Sequence, residues 1–458
     1  MAYITKRGSS YSVRYTYQDE HGKSCDKWES FPTKEEAVKR QKQIEHELAT
    51  GNFLIPSTVT VAEFLMDWLP KQCSKHKWAP KTYQSNLALI QNLIIPYIGE
   101  MQMQKLRPYH IEALYDTLSK TPCGQYVGGK RRDLSPKQQK RTLSGTTLHE
   151  VHQLLHNSFL LAVEWGILIK SPVPVEAPKK TTQERSIWEV DEMRAALDSM
   201  EDPILHLTLV GTLREGEVAG LTPEDIDFDA ANGMGTFTVN RSMQRVQKDT
   251  LAQVDKGCIL RIFPDKLEGS KTSLILKDTK TEASCRTIFM TAALREELKQ
   301  WLEQLKREEA LDPERYRNSG MLLRLSNGLA VEPVLIRKKF LKWQDAHPEF
   351  PRIVFHGLRH SSATYQLMIS GGDIKAVQGT TGHASADMLV NTYAHIQQSS
   401  RVELGKKFES GFYAKPDTPS PQAVPAAGEP TISMTALLEL LKDADPEMKA
   451  KLRLALLT

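Results

Sequence analysis

Polar and apolar side chains alternate near the start of the chain in the way that strands require. The segment YSVRYTYQD has this period of two, and a polar turn, HGKS, separates it from a second short run, DKWESF. The stretch that follows opens with Thr33 as a helix cap, carries acidic residues in its first turn and ends near Gly51. Residues 1–56 are therefore predicted to form a small sheet with one helix.

Between residues 60 and 179 the apolar positions recur at spacings of three and four, which predicts helices. Four such segments follow one another: VAEFLMDWLPKQ, PKTYQSNLALIQNLIIPYIG, HIEALYDTLSK and TTLHEVHQLLHNSFLLAVEWG. A loop rich in glycine, proline and basic residues separates the last two, and the segment SPVPVEAPKKTTQER follows as an extended linker. An all-α unit is predicted here.

Residues 185–410 mix both periods. Helical segments flank a strand-rich middle that contains GTFTVNRSM, CILRIF, SLILKD and CRTIFM. Residues 411–458 comprise a proline-rich tether and a helical pattern that Pro446 interrupts. We therefore predict a multidomain α+β protein with a small N-terminal β-sheet-plus-helix module, an all-α domain, a mixed α/β domain and a C-terminal tether with a helix.

Composition narrows the class of protein without identifying it. Hydrophobic residues make up 40% of the 458 residues and charged residues 25%, which is typical of folded domains, and the net charge of +4 permits nucleic-acid binding without requiring it. The five cysteines are scattered without a C-x-x-C pair, so neither a disulfide framework nor a metal site is predicted. No segment approaches the length of a membrane span, and we expect a cytoplasmic protein.

Candidate chemistry lies in the third region. Arg214 precedes an apolar stretch that looks helical, with Glu217 three residues later, a spacing more common in helix-surface ion pairs than in active sites. Lys280 lies in KDTKTEASCRTIFM, which predicts a β-hairpin. Neither pattern indicates a function by itself.

Four further residues follow in order. His356 and Arg359 are three residues apart and share one face of a predicted helix. His383 follows a glycine in GHAS, and Tyr393 comes ten residues later, after one short predicted helix. Tyr365, which lies in the same predicted helix as His356, is expected to be a core residue.

Taken in order, the pattern Arg, Lys, H-x-x-R, G-H and Tyr resembles the signature of the tyrosine recombinases, the family that includes the integrases of phages and conjugative transposons. The resemblance covers the third region almost end to end. It implies an arm-site DNA-binding domain at residues 1–56, a helical core-site DNA-binding domain at 60–179, a catalytic domain at 185–410, and a tether with a C-terminal helix at 411–458. The implied activity is site-specific cleavage and rejoining of DNA through a 3′-phosphotyrosyl intermediate, by which a mobile element or prophage is integrated and excised.

The resemblance also implies a role for each residue. Tyr393 attacks the scissile phosphate, and His356 is the candidate base that takes its proton. Lys280 protonates the departing 5′ oxygen, and His383 donates a hydrogen bond to the phosphate. Glu217 orients its neighbours without reacting, and no cofactor is implied.

Elementary physical chemistry supports the roles of Arg214 and Arg359. Negative charge builds on the oxygens of a transferring phosphoryl group, and two planar guanidinium groups bind such oxygens bidentately without losing their own charge. Preorganised donors of this kind lower the barrier strongly. Because two-metal phosphoryl transfer gathers carboxylates, and no dense acidic cluster is seen in the sequence, we predict metal-independent cleavage.

The chain departs from the family pattern at three places. Thr212 stands where the family commonly has glycine before Leu-Arg, and Thr381 stands where an apolar residue usually precedes Gly-His. The run from residue 240 to 277 is also longer than the usual hairpin region. That leaves Lys277 as a second candidate for the acid, although the context K-T-x-x-S-x-R-x-I favours Lys280.

DNA contacts are predicted at basic side chains of the first two regions, because Lys and Arg bind phosphates. The candidates are Lys6, Arg7, Arg14, Lys75, Lys77, Lys81, Lys130, Arg131, Arg132 and Lys137. Solvated protein faces carry such charges equally well. The expected partner is double-stranded DNA with core and arm sites, bound by a homotetramer with accessory directionality or DNA-bending factors. We expect no membrane contact and, on DNA, association with the nucleoid.

Two other classes of function fit parts of the pattern. An accessory DNA-binding protein with this fold but no turnover has no reason to keep a nucleophile and the complete ordered set. A topoisomerase of the same chemistry, or a dedicated chromosome-dimer resolvase, has no need of a second class of DNA site, which the first region is predicted to bind. The integrase function is therefore preferred.

Overall fold

A computed structural model describes residues 2–18, 23–50, 53–181, 186–200, 202–230, 233–279, 284–382 and 405–406. The described residues from 2 to 382 belong to one compact unit, and residues 405–406 belong to another. The first unit contains three large hydrophobic cores, which lie in the three regions distinguished by the sequence pattern.

The N-terminal module is an antiparallel sheet covered by one helix. Strands β1 (Ala2–Arg7), β2 (Ser10–Gln18) and β3 (Ser24–Phe31) pair in that order, and α1 (Lys34–Ala49) packs on one face. The cap predicted at Thr33 is confirmed, since its side chain accepts a hydrogen bond from the backbone N–H of Glu36 at 3.3 Å. Strand β1 was not predicted, because its apolar positions are too few to show alternation.

The helical region follows the predicted segments. It contains α2 (Val61–His76), α3 (Pro80–Leu89), α4 (Ile95–Ile98), α5 (Pro108–Lys120), α6 (Pro136–Gln139) and α7 (Gly145–Glu164). A π-helical turn at Ile90–Ile94 joins α3 to α4. The basic loop carries two short paired strands, β4 (Tyr126–Val127) and β5 (Lys130–Arg131). The helices share one apolar core that includes Phe64, Leu69 and Phe159.

The first half of the third region surrounds two small sheets. It contains α8 (Val190–Leu197), α9 (Ile204–Gly211), α10 (Glu215–Gly220), β6 (Ile226–Asp227), β7 (Thr236–Val239), β8 (Arg241–Gln247), α11 (Lys248–Leu251), β9 (Ile259–Ile262), β10 (Thr272–Asp278) and β11 (Arg286–Phe289). One sheet has the order β8-β10-β9 and the other β11-β7-β6, with every described pair antiparallel.

The second half is helical and anchors the end of the interdomain linker. It contains α12 (Ala292–Leu311), α13 (Pro333–Ala346), α14 (Phe355–Ile369) and α15 (Ile374–Thr381). Trp188, only 1% exposed, packs against Phe340 and Trp343, and its backbone N–H donates to Ser361 Oγ of α14 at 2.8 Å. No helix within the described ranges is both long enough and apolar enough to cross a membrane.

The hairpin predicted around Lys280 is wrong. Strand β10 is bonded to β8 on one edge and to β9 on the other, so β11 pairs with β7 in the second sheet. The long segment between β8 and β10 supplies β9, which occupies the edge that a hairpin partner needs. The connection between β10 and β11 therefore joins two sheets, and Lys280 itself lies outside the described residues.

That same long segment also contacts the helical region. Val254, which follows α11, is 7% exposed and belongs to the hydrophobic core of the helices. Next to it, the carbonyl of Gln253 accepts a weak hydrogen bond from Cys73 Sγ of α2 at 3.6 Å. The segment thus fastens the third region to the helical region through apolar packing.

Replacing Val254 by Ser tests this packing. The change removes a methyl group and places a hydroxyl in an apolar core, so we expect the free energy of unfolding to fall by about 1–3 kcal/mol in urea denaturation. Ala252→Ser adds the same hydroxyl at an exposed position two residues earlier and is expected to change stability by less than about 0.5 kcal/mol. Equal effects of the two substitutions would contradict the packing.

Candidate functional site

Arg214 is positioned by the turn between α9 and α10. It precedes α10 directly, and the Glu217 carboxylate accepts hydrogen bonds from its backbone N–H at 3.1 Å and from its Nη1 at 2.6 Å. The turn is pressed onto β8, since a Cβ on Gly216 would lie 2.7 Å from Ser242 Oγ. The Arg214 side chain is 39% exposed, so its guanidinium is held in place and still faces solvent.

Glu217 is a buried carboxylate shared by two guanidinium groups. Only 4% of it is exposed, which contradicts the surface ion pair that its spacing from Arg214 most often indicates. Its second oxygen accepts from Arg286 Nη2 at 2.9 Å. Burial alone raises the pKa of a carboxyl group, but the charge and hydrogen bond of Arg286, together with Arg214, outweigh it and hold the pKa of Glu217 below its usual value.

His356 and Arg359 lie in the first turns of α14, as predicted. The Arg359 guanidinium is 1% exposed and donates to the backbone carbonyls of Thr212 and Thr381, the latter at 2.6 Å. Burial, with the nearby charge of Arg214, lowers the pKa of Arg359 to about 9, so the group remains charged at neutral pH. His356 is partly exposed, and its ring lies 4.7 Å from that of His360.

Thr212, the departure from glycine in the first box, adopts a left-handed backbone conformation with φ of 48°. This conformation is costly for a β-branched residue and favours glycine. The threonine is fully buried, and its hydroxyl donates to the carbonyl of Gly211 at 2.7 Å and lies 3.3 Å from that of Thr380. Its own carbonyl accepts from Arg359, so the surrounding hydrogen bonds hold the strained turn.

Arg286 is the residue of this cluster that was not assigned from the sequence. It is the first residue of β11, and its side chain is 3% exposed. Besides Glu217, it donates from Nε to the carbonyl of Thr380 at 2.8 Å and from Nη2 to that of Gly211 at 3.3 Å. The only sequence signal for Arg286 was its place in the motif around Lys280, where it is the one basic residue in the predicted strand CRTIFM.

Of the remaining predicted site residues, some lie outside the described part of the chain and others lie within it. Lys280, His383 and Tyr393 lie outside the described residues. Lys277, the second candidate for the acid, lies on β10 opposite Ser242 of β8. The structure therefore brings Arg214, Glu217 and Arg359 together. It also places Tyr365 partly buried against the core of the third region, as expected.

All ten candidate DNA-contact residues are exposed. In the N-terminal sheet, Tyr3, Arg14 and Trp28 are register partners across the three strands. The guanidinium groups of Arg7 and Arg14 lie 4.5 and 5.1 Å from the centre of the Trp28 ring. The face of the sheet away from α1 therefore presents basic and aromatic side chains together.

A groove in the helical region is also lined by basic and aromatic side chains, together with polar ones. Its volume is about 890 Å³, and it lies between α2, α3 and α7. Lys81 lines it together with the amide side chains of Gln72, Asn86 and Gln153. Amides and basic groups are the side chains that most often contact base edges and phosphates.

Comparison with known proteins gives two family matches. Residues 60–119 match the model described as the phage integrase N-terminal SAM-like domain, and residues 184–400 match the phage integrase family; together they cover more than half of the chain. No curated protein sequence matches.

Solved structures with a similar fold include two of the Tn1549 transposon integrase. One, in complex with transposon right end DNA, has 19% sequence identity and a TM-score of 0.54, covering 76% of this chain and 99% of the other. The second, in complex with a circular intermediate DNA, has 17% identity and a TM-score of 0.53 with the same coverage. A lambda integrase dimer bound to a core site has 15% identity and a TM-score of 0.47, covering 87% of this chain and 95% of the other.

Replacing Glu217 by Gln tests the buried carboxylate. The change leaves two guanidinium groups without their shared counter-charge, and breaking such a pair costs about 3–5 kcal/mol. Because the folded pKa of Glu217 is lowered, its contribution is fully present above the unfolded pKa of about 4.3 and is lost as the pH falls through the folded pKa. Urea unfolding is expected to show a difference of about 3 kcal/mol at pH 7 that shrinks below pH ~4.

Glu303→Gln is the control for this measurement, because Glu303 pairs with Lys306 at 2.8 Å on the exposed face of α12. It is expected to destabilise far less than Glu217→Gln. A loss from Glu217→Gln that is no larger than that of the control, or that does not change with pH, would show that Glu217 is not the buried counter-ion described here.

Proposed function

The chain belongs to the phage integrase family, whose members are tyrosine site-specific recombinases, and from this premise we propose that it cuts and rejoins DNA through a covalent bond to Tyr393. The observation that carries the proposal is the convergence of Arg214, Arg359 and Glu217 from α10 and α14. A cluster with three guanidinium groups, counting Arg286, and one carboxylate keeps excess positive charge, as a phosphate site requires.

The proposed reaction conserves the phosphodiester bond energy. The phenol oxygen of Tyr393 attacks phosphorus, its proton passes to His356, and the bond from phosphorus to the 5′ oxygen breaks. Lys280, or Lys277 in its place, supplies a proton to that 5′ oxygen. Attack by a 5′ hydroxyl on the phosphotyrosyl bond reverses these steps and rejoins the strand, with His383 donating a hydrogen bond to the phosphate.

The two arginines enter this reaction from different positions. Arg214 is partly exposed and its guanidinium is held by a hydrogen bond to Glu217, so we expect it to contact the phosphate directly. Arg359 is buried, and two of its five N–H groups donate to the backbone carbonyls of Thr212 and Thr381, which fixes the plane of its guanidinium. A hydrogen bond from this guanidinium to a charged phosphate oxygen is stronger than one to a neutral acceptor.

We propose that this chemistry needs no metal ion. The guanidinium groups supply the positive charge that metal ions supply in two-metal phosphoryl transfer. Unlike metal ions, they are part of the chain and do not dissociate. Cleavage is therefore expected to proceed in the presence of a chelator.

DNA recognition is assigned to the two N-terminal regions. The basic and aromatic face around Arg14 and Trp28 fits an arm-site module at residues 1–56, because a small sheet can enter a groove. The groove between α2, α3 and α7 fits a core-site domain at residues 60–179, and the part of its lining from α2 and α3 lies within the family match to residues 60–119. Residues 185–410 are the proposed catalytic domain, followed by a tether and C-terminal helix at 411–458.

The proposed working form is a homotetramer on double-stranded DNA. Exchange of strands between two duplexes requires several active sites acting on one assembly. The two Tn1549 transposon integrase structures contain a circular intermediate DNA and transposon right end DNA, which supports a mobile element as the substrate of this chain as well. Directionality and DNA-bending factors are proposed as accessory partners.

Replacement of Tyr393 by Phe tests the central proposal. The variant lacks the attacking oxygen, so it is expected to bind core-site DNA as the wild type does and to form no covalent adduct. A nicked suicide substrate with candidate ends, resolved on a denaturing gel, measures the adduct, and peptide mapping locates it.

The same assay with excess chelator examines the metal dependence. Wild-type protein is expected to form as much adduct with the chelator as without it. An adduct retained by Tyr393→Phe would assign the nucleophile elsewhere, and failure of the wild type on every cognate end would overturn the proposed activity.

A further inference from the structure

Arg286 contacts several parts of the site at once. Its guanidinium donates to Glu217 of α10, to the carbonyl of Gly211 at the end of α9 and to the carbonyl of Thr380 in α15. It also donates to the carbonyl of Ser284 in its own segment at 3.2 Å. Four segments of the catalytic region are therefore held by one side chain.

We propose that Arg286 is a positioning residue for strand cleavage, which holds Glu217, and through it Arg214, together with the backbone that leads to His383. This inference rests on the proposed recombinase function. Arg286 is not a catalytic residue, because all three of its guanidinium nitrogens donate to protein oxygens: Nε to Thr380, Nη1 to Ser284 and Nη2 to Glu217.

The first part of this role is electrostatic. The guanidinium groups of Arg214 and Arg286 donate to different oxygens of Glu217. With Arg286 present, Glu217 stays ionised in spite of its burial, and the ionised carboxylate holds the Arg214 guanidinium in place. Within the part of the chain that the structure describes, the charged groups that act on Glu217 are Arg214 from the α9–α10 turn, Arg286 from β11 and Arg359 from α14.

The second part is geometric. Two guanidinium groups hold two consecutive carbonyls at the end of α15, since Arg286 Nε donates to Thr380 and Arg359 Nη2 donates to Thr381. His383 follows Thr381 by two residues in the sequence. Arg286 therefore fixes the point from which the chain continues toward the second histidine and the nucleophile.

Single-turnover adduct formation on the suicide substrate, from pH 5 to 8.5, tests the role with Arg286→Met. At saturating DNA the rate is expected to fall on the order of 10- to 100-fold, while the DNA concentration for half-saturation stays unchanged. Without Arg286, burial raises the pKa of Glu217, which becomes protonated as the pH falls and releases Arg214. The ratio of the wild-type rate to the variant rate is therefore expected to increase toward pH 5, and this ratio cancels titrations common to both proteins.

Arg286→Lys separates the two parts. Lysine restores a cation beside Glu217 but lacks the fork that reaches Gly211 and Thr380 at the same time. We expect its pH profile to return toward that of the wild type while its rate remains reduced. If Arg286→Met does not fold, this variant decides: a reduced rate with normal DNA affinity supports the role, and a wild-type rate overturns it.

Arg241→Met is the matched control. Arg241 on β8 pairs with the buried carboxylate of Asp225 and not with Glu217, so its loss removes a different ion pair from the same region. Its adduct rate and pH profile are expected to match the wild type at a temperature where it is folded.

Two results would overturn the positioning role. One is wild-type cleavage by Arg286→Met, and the other is equal loss, with the same pH profile, in Arg286→Met and Arg241→Met. Absence of an adduct with the wild-type protein itself overturns the proposed function and this role with it, so the two failures are told apart by the wild-type lane.

Discussion

One buried carboxylate organises the charged centre of this protein. Glu217 lies within a set of guanidinium groups and compensates only part of their charge. Burial disfavours a lone carboxylate or a lone guanidinium, and each is stable here because of the other. The cluster therefore keeps a net positive charge inside a folded domain, where water screens it poorly and a phosphate oxygen gains most from it.

The rest of the third region is arranged around this cluster. Helix α10 reaches the site because Gly216 allows it to lie against β8. The turn between α9 and α10 closes because Thr212 adopts a strained, left-handed backbone conformation. Strand β11 enters the site because β9 occupies the free edge of β10 and directs β11 to the other sheet. Val254 packs into the core of the helices and joins the third region to the helical region.

Much of the fold could be predicted, because helices with one apolar face and capped ends carry their signal locally. The cap at Thr33 and the shared helix of His356 and Arg359 are examples. Partners distant in sequence left no such signal. The hairpin at Lys280 was wrong because strand pairing depends on which edge is free, and Arg286 was missed because its contacts join residues 69 to 94 positions apart.

The hydrogen bonds of Arg359 also indicate at what stage of folding the guanidinium cluster can form. They connect Arg359 to Thr212, which lies 147 positions earlier in the chain, and to Thr381, which lies 22 positions later. Contacts of such sequence separation form late in folding, and during synthesis they wait until both segments have left the ribosome. A growing chain thus completes its N-terminal sheet and its helical region before it can assemble the guanidinium cluster, so the proposed ability to cut DNA arises only after residue 381 has been made.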